Sequence, residues 1–409
     1  MTEEPIKNIS GTYRTMSVEE TLNRAEPARD YVGITRVANI TGLDFLGIPT
    51  CMVVRPMAKS LSVSQGKGLS LELAMASGIM EAIEIYHAEN LPAGEKYSLT
   101  HAAKSSDFVS PTDLPLRANA QFSKLNKISW LKAVNLFTGK ECWVPRELCD
   151  LDSTVERKSS GLFRSSTVGL ASGNTLLEAV THGLLEAIEH DCVAFWQVQG
   201  LLDGNLNKSR IALKTIDDKN CIQLVKQCSK AGLKLAVWDA TGEQNIPCFV
   251  ATIFDESGST LFPARANGYG CHAVASVALS RAITEAAQSR LTRISGVRDD
   301  LSWSHFDKLN RKSNQDRQQI SELSYEGTPS LDYRTLQNEL KPNTSEQLLN
   351  WILDRINIES LCGAMYVDLT DKNLGIPVAY TLVPRLEYSD ESNRYVPGPR
   401  MSEFMSNAF

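Results

Sequence analysis

Hydrophobic and polar positions along this chain change period repeatedly. Short apolar or alternating runs, as expected of strands, give way to long alanine-rich stretches with a helical period. Three runs share an opening: Ile48-Pro49-Thr-Cys-Met-Val-Val, Ile246-Pro247-Cys-Phe-Val-Ala-Thr and Ile376-Pro377-Val-Ala-Tyr-Thr-Leu. Each follows a polar turn, at Thr41–Asp44, Asp239–Gly242 and Asp368–Asp371. Proline is tolerated at the first residue of a strand, so the pattern predicts three hairpins whose second strands start alike. A further hairpin is predicted from Trp130–Val134 to Glu141–Val144 across Thr138-Gly139-Lys140.

The helical stretches carry their own echo. Gly78-Ile-Met-Glu81-Ala-Ile-Glu84, Gly183-Leu-Leu-Glu186-Ala-Ile-Glu189 and Ala282-Ile-Thr-Glu285-Ala-Ala-Gln288 are one phrase in three copies. Residues three apart share a helix face, so each copy sets two acidic or amide groups one turn from each other. Hairpins and helix copies together predict an α+β fold of degenerate strand-hairpin and helix repeats around one shared site. Residues 1–60 are expected to supply N-terminal strands, 61–400 the core domain and 401–409 a C-terminal tail. A polar peripheral insertion is expected around 300–350, with a late helix near Ser345–Ile356.

Composition narrows the class. The chain has 409 residues, 42% hydrophobic and 22% charged, as in ordinary globular enzymes. A formal net charge of −6 argues against general nucleic-acid binding. No run of about 18 apolar residues predicts a membrane span, and Met1-Thr-Glu-Glu-Pro5 lacks a secretory signal pattern. Nine cysteines without a CxxC pair read as reduced, mostly buried thiols of a cytoplasmic protein.

Paired carboxylates on one helix face repel unless a cation sits between them, and the cation that suits them is a metal carrying phosphates. Glycine-containing segments precede each copy: Gly66-Lys67-Gly68, Ser172-Gly173-Asn174-Thr175 and Gly268-Tyr-Gly270-Cys-His272. Glycine lets backbone N–H groups approach a phosphate, although most glycine pairs are only turns. No GxxxxGK[ST] loop occurs. Asn174 and Glu178 form another polar pair one turn apart, and Ser77 precedes Glu81 by four.

Simpler readings compete. A single Glu pair is most often a solvated face; three copies in register weigh against that. His182, Glu186 and His190 recur at helical spacing as a transition-metal set would, but Ser77 and Arg281 replace His182 in the other copies. His272 reads as a helix-start hydrogen-bonding residue and Cys271 as a structural thiol. A carboxylate-pair glycosidase is disfavoured, because its acids come singly from different elements.

In order and spacing, the segments Ser64–Leu69, Ser77–Glu84, Thr167–Glu178, Leu185–Asp191 and Thr284–Leu291 resemble the YcaO family over roughly residues 30–400. The resemblance is greatest to shorter bacterial members that accompany a TfuA-type partner protein, including the opening Tyr13–Thr21. It implies an ATP-binding fold without a P-loop, whose members use ATP to phosphorylate a peptide-backbone amide oxygen before an azoline, thioamide or amidine forms. Carried over residue by residue, it assigns ATP and Mg2+ to Ser77, Glu81 and Glu84, to Asn174, Glu178, Glu186 and Glu189, and to Gln288 with Arg290. Lys67, Arg281 and Arg290 balance phosphate charge; Glu81, Glu84, Glu178, Glu186 and Glu189 are the metal ligands.

Two departures qualify the resemblance. His190 stands where many members have arginine between the acids, and Pro397-Gly-Pro399-Arg400 replaces the proline-rich tail common in azoline-forming members. The expected activity is therefore thioamide formation on a ribosomally made precursor peptide with a TfuA-type or leader-binding partner. An azoline-forming cyclodehydratase and an inactive peptide- or partner-binding subunit are the alternatives. The resemblance further implies a homodimer. No catalytic base is assigned.

Overall fold

The Asn/Asp-x-Thr turns and the Ile-Pro strands turn out to be one local structure made three times. In the computed structural model, Asn39, Asp239 and Asp368 each accept, through a side-chain oxygen, the N–H of the residue two ahead, Thr41, Thr241 and Thr370, all at 3.0 Å. Each threonine hydroxyl then accepts the N–H of the residue after the proline: Thr50 at 3.0 Å, Cys248 at 3.2 Å and Val378 at 3.2 Å. Asx turns of this kind are local and cheap to form, and they set where the second strand begins.

The structure describes residues 4–9, 11–102, 104, 107–123, 127–154, 160–203, 207–256, 264–297, 331–336, 340–361, 363–388 and 395–408. In chain order, β1 (Lys7–Ile9), β2 (Thr12–Arg14) and α1 (Val18–Tyr31) precede β3 (Arg36–Asn39), β4 (Thr50–Val54), β5 (Val63–Lys67) and α2 (Leu71–Glu89). Then come β6 (Glu95–Ser98), α3 (Leu99–Ala102), β7 (Lys127–Asn135), β8 (Glu141–Pro145), α4 (Arg146–Cys149), β9 (Leu170–Ser172) and α5 (Leu176–Asp203). They are followed by α6 (Lys219–Lys230), β10 (Lys234–Asp239), β11 (Cys248–Phe254), β12 (Arg265–Cys271) and α7 (Ala275–Ser295). The last described elements are α8 (Ser345–Ile356), β13 (Met365–Asp368), β14 (Val378–Leu382) and α9 (Pro399–Asn407).

The chain forms two compact units. One comprises Met1–Pro5, Ile83–Phe195 and Asn343–Phe409; the other comprises Ile6–Ala82 and Trp196–Pro342. In the first, an antiparallel sheet runs β6-β7-β13-β14-β9, with β8 paired to β7 as the predicted hairpin. In the second, β3-β4-β5 and β10-β11-β12 are separate three-stranded antiparallel sheets.

Each Ile-Pro strand is a middle strand: β4, β11 and β14 lie between β3 and β5, β10 and β12, and β13 and β9. The registers match, with Thr50 opposite Lys67, Cys248 opposite Cys271 and Val378 opposite Ser172. Past each register point, the proline carbonyl accepts the next N–H of the neighbouring strand: Gly68 to Pro49 at 3.3 Å, His272 to Pro247 at 3.1 Å and Gly173 to Pro377 at 3.1 Å. Three residues later a helix starts in every case. Two repeats are continuous in sequence. The third is split, its strand β9 and helix α5 coming early and its β13–β14 hairpin far downstream.

Glycines set how closely each helix lies on its strand. A methyl group on Gly66 would fall 2.0 Å from the Ala74 carbonyl oxygen, and one on Gly270 2.0 Å from that of Ala278. In the split repeat, a methyl on Gly183 would fall 2.5 Å from the Gly169 carbonyl oxygen. Gly66, Gly268 and Gly270, at the strand ends, serve backbone-to-backbone packing. Beneath α7, the core of this unit joins Phe249, Ala251 and Ile253 of β11 to Ala278, Ala282 and Ala286, with α6 adding Cys221, Leu224 and Cys228. Asp218 caps α6 by accepting the N–H groups of Asn220 and Cys221 at 2.9 and 3.0 Å.

The predicted late helix is α8, capped by Thr344, which accepts the Gln347 N–H at 3.2 Å. Of the expected insertion, 298–330 and 337–339 lie outside the described residues; Tyr333 beyond them is fully buried in the core. The expected tail contains most of α9, anchored by Arg400, which donates to Asp191 at 2.7 Å. The described cysteines are free and buried, and burial pushes the Cys142 thiol up to about 11. Among the described residues no helix is long and apolar enough to cross a membrane.

Candidate functional site

The repeat fixes the acidic residues in register. Glu81, Glu186 and Glu285 stand ten residues after Leu71, Leu176 and Ala275, the first residues of α2, α5 and α7. Glu84, Glu189 and Gln288 stand thirteen after. Ser77, His182 and Arg281 share the position one turn before each glutamate.

In the unit containing β9, Glu178, Glu186 and Glu189 lie along α5 and Glu84 lies on α2. Ser172, the last residue of β9, donates both its N–H and its hydroxyl to one oxygen of Glu84, each at 2.7 Å. Asn174 is buried and donates to Glu178 at 3.4 Å. The Gly169 N–H reaches Glu186 at 3.2 Å. Glu178 and Glu189 are themselves 8% and 6% exposed, so these carboxylates sit where solvent screens little. His190 is half-buried on the same helix.

The other unit holds the remaining predicted residues. Lys67, at the end of β5, forms an ion pair with Glu285 of α7, whose carboxylate also accepts the Tyr269 N–H at 3.2 Å. Gln288 donates to the Gln65 carbonyl at 2.8 Å, and Thr292 to the Gln65 side chain. Ser77, Glu81 and Arg281 are half-buried on their helices. Arg290 differs from the rest. It is fully buried, bonds Asp44 at 2.7 Å and Asp255 at 3.4 Å, and stacks on the Phe45 ring at 5.2 Å. Its charge is committed to two carboxylates of its own unit.

His272 sits at the start of α7 as a hydrogen-bonding residue: its Nδ1 accepts the Val274 N–H at 2.9 Å. Burial, with Arg281 and Arg14 nearby, holds this imidazole down to about 3, so it is neutral. Sequence reading missed Ser172 and Glu285 as partners of the site residues. It also missed Asp191, which holds Arg400 and accepts the Glu387 N–H at 2.8 Å. Ser172 carried a signal, since it occupies the strand-end position of Lys67 in the repeat.

A mixed fold with these repeats, and glutamates in register on three helices, defines the class. The YcaO family model, described as a cyclodehydratase binding ATP and Mg2+, matches residues 65–387. A Rhizobium leguminosarum bv. trifolii protein, named for its position in the tfuA 3′ region, is 35% identical over 392 residues, 94% of this chain and 90% of its own length. A Methanothermobacter thermautotrophicus protein is 31% identical over 373 residues, 90% of this chain and 93% of its own. The YcaO protein from Methanopyrus kandleri, solved with AMPPCP and Mg2+, superposes with a TM-score of 0.72 at 20% identity, covering 97% of this chain and 99% of that one. A heterocyclase solved with substrate and cofactor gives a TM-score of 0.76 at 20% identity over 95% of this chain; the chain spans 54% of that protein. This chain belongs to the YcaO family of ATP- and Mg2+-binding proteins.

The donor set fits such a group. Carboxylates, the Asn174 amide and the Ser172 hydroxyl are hard oxygen ligands, the kind magnesium takes. Among the described residues, no three His, Cys, Asp or Glu side chains converge closely enough to hold a metal by themselves. Magnesium is ordinarily bound through one or two carboxylates, with substrate phosphates completing its shell.

Proposed function

We propose that this chain is an ATP-dependent enzyme that activates a backbone amide of a ribosomally made peptide, leading to a thioamide with a TfuA-type partner protein. The observation that carries the reading is the doubly bonded Glu84 carboxylate at Ser172, in the same unit as the buried Glu178 and Glu189. Carboxylates held in poorly solvated places cost stability, and a cation with phosphates offsets that cost.

In this reading Glu81, Glu84, Glu178, Glu186 and Glu189 hold magnesium, and Asn174 orients Glu178. Ser77, Glu81, Lys67, Arg281, Gln288 and His190 serve the nucleotide. Bound Mg-ATP supplies the phosphoryl group that activates the amide oxygen. Ser172 orients the Glu84 carboxylate through two hydrogen bonds, and Glu285 holds Lys67 by its ammonium. Arg290 acts through packing, by pinning α7 to Asp44 and Asp255. The thioamide assignment is supported by the tfuA-region name of the Rhizobium relative. A homodimer belongs to the same reading and is checked by light scattering.

The second reading is azoline formation, favoured by the cyclodehydratase description of the family and by the 0.60 TM-score to the Escherichia coli microcin synthetase complex with its precursor bound. Intact-mass spectrometry separates the two. Precursor peptide is incubated with this chain, the TfuA-type partner, Mg-ATP and a sulfide source. Exchange of oxygen for sulfur supports the thioamide; loss of water supports the azoline. An unmodified peptide with no ATP consumed, across candidate precursors, would leave only a binding role.

A further inference from the structure

The first repeat has a small cleft that no part of the proposed nucleotide chemistry uses. It has a volume of about 170 Å3 and is lined by Pro49, Leu69, Ser70, Asn220, Gln223, Leu224 and Gln227. At roughly 30 Å3 per water, that is room for a handful of waters. Drug-sized ligand pockets run to about 300–1,000 Å3, so a nucleotide does not fit. None of the lining side chains is charged. Asn220, Gln223 and Gln227 lie at i, i+3 and i+7 on α6, one face of the helix, and each carboxamide both donates and accepts.

The repeat shows what can occupy this place. Ser70 and Thr175 are equivalent, each being the last residue before its helix. Both hydroxyls accept the N–H three residues ahead, Leu73 at 3.3 Å and Glu178 at 3.1 Å. At Thr175 a stretch of chain passes by: the Thr175 hydroxyl donates to the Glu4 side-chain carboxylate at 2.6 Å, while the backbone of that stretch pairs with Thr344 and Ser345, the Glu4 carbonyl accepting the Ser345 N–H at 2.9 Å. At Ser70 the corresponding flank is the cleft with its row of carboxamides. Ser70 also bonds exposed Glu72.

We infer that this cleft is a docking subsite for a short, extended, uncharged stretch of peptide backbone, read by the Asn220, Gln223 and Gln227 carboxamides. It rests on the peptide-substrate reading for the source of that backbone, and none of its lining residues is among those assigned to ATP. Carboxamides match a backbone because each peptide unit offers one N–H and one C=O. A phosphate finds no cation among the lining residues.

The test uses the full chain, 15N-labelled, titrated with N-acetyl-glycyl-glycine N-methylamide and, separately, with inorganic phosphate. The expected result is a saturable shift of the Asn220, Gln223 and Gln227 side-chain amide resonances with the capped dipeptide alone. Binding should weaken at least tenfold in a Gln223→Leu/Gln227→Leu variant, whose two sites are exposed and half-buried and so leave folding intact. No saturable shift, or equal affinity in the variant, overturns the proposal. If the dipeptide binds as described but no peptide is ever modified, the enzymatic reading falls and the subsite stands. If a precursor is modified with the same KM by wild type and variant, the subsite falls and the enzymatic reading stands.

Discussion

Ser172 gives its backbone N–H and its hydroxyl to the same oxygen of Glu84, each across 2.7 Å. Hydrogen bonds to a carboxylate favour its ionised form and fix its direction. Ser172→Ala keeps the N–H bond and removes the hydroxyl. The expected cost in stability is about 1–2 kcal/mol, read by urea unfolding. Mg-ATP affinity should fall several-fold while the fold survives. An unchanged affinity would mean that the pair only joins strand to helix.

Arg290 is the cation of a buried trio with Asp44 and Asp255. Arg290→Met removes the charge and leaves two carboxylates in the core. Breaking a buried pair in this way costs about 3–5 kcal/mol. Denaturant unfolding should show that loss, with nucleotide affinity per folded molecule unchanged. A variant as stable as wild type but unable to bind ATP would return Arg290 to the phosphates.

Gly270 faces the Ala278 carbonyl oxygen so closely that an added methyl would lie 2.0 Å from it. The atoms that must give way, on Ala278 and Ala282, are backbone, so Gly270→Ala forces α7 off its strand. We expect a destabilisation of at least about 1–3 kcal/mol, the usual range for overpacking. Gly42→Ala, with open space around the added methyl, is the control and should stay within roughly 0.5 kcal/mol of wild type.

His272 gives a pH dependence with a definite sign. Its folded-state value is lowered from 6.5 to about 3, chiefly by burial and then by Arg281 and Arg14. Between those values the unfolded chain binds a proton that the folded chain does not. Stability from this group is full above about pH 6.5 and is lost as pH falls, by up to about 1.4 kcal/mol per pH unit. Unfolding curves at pH 7.5 and 5.5 should show a loss in wild type that His272→Gln lacks. An equal loss in both proteins would count against a buried neutral imidazole.

The local pieces of the fold were readable because they are short-range. The Thr41, Thr241 and Thr370 turns and the Ile-Pro strand starts need only residues within about a dozen positions of each other. Periodicity likewise set Glu81, Glu186 and Glu285 on corresponding faces. The split repeat was harder to see, since β14 pairs with a strand, β9, that comes some two hundred residues earlier. The packing role of glycine was not readable because the missing Cβ serves a phosphate and a packed helix equally, and the neighbours of Gly66 and Gly270 lie elsewhere in the chain. The ion pair of Arg290 was not readable because Asp44, its partner, is 246 residues away.

Calorimetric titration with a non-hydrolysable ATP analogue, with and without magnesium, is the most direct test of the central claim, that the in-register glutamates hold Mg-ATP. Wild type should bind in a magnesium-dependent manner. Glu84→Gln and Glu186→Gln, each keeping side-chain shape and a folded chain, should lose at least tenfold in affinity, about 1.4 kcal/mol. Wild-type affinity in both folded variants would contradict the assignment.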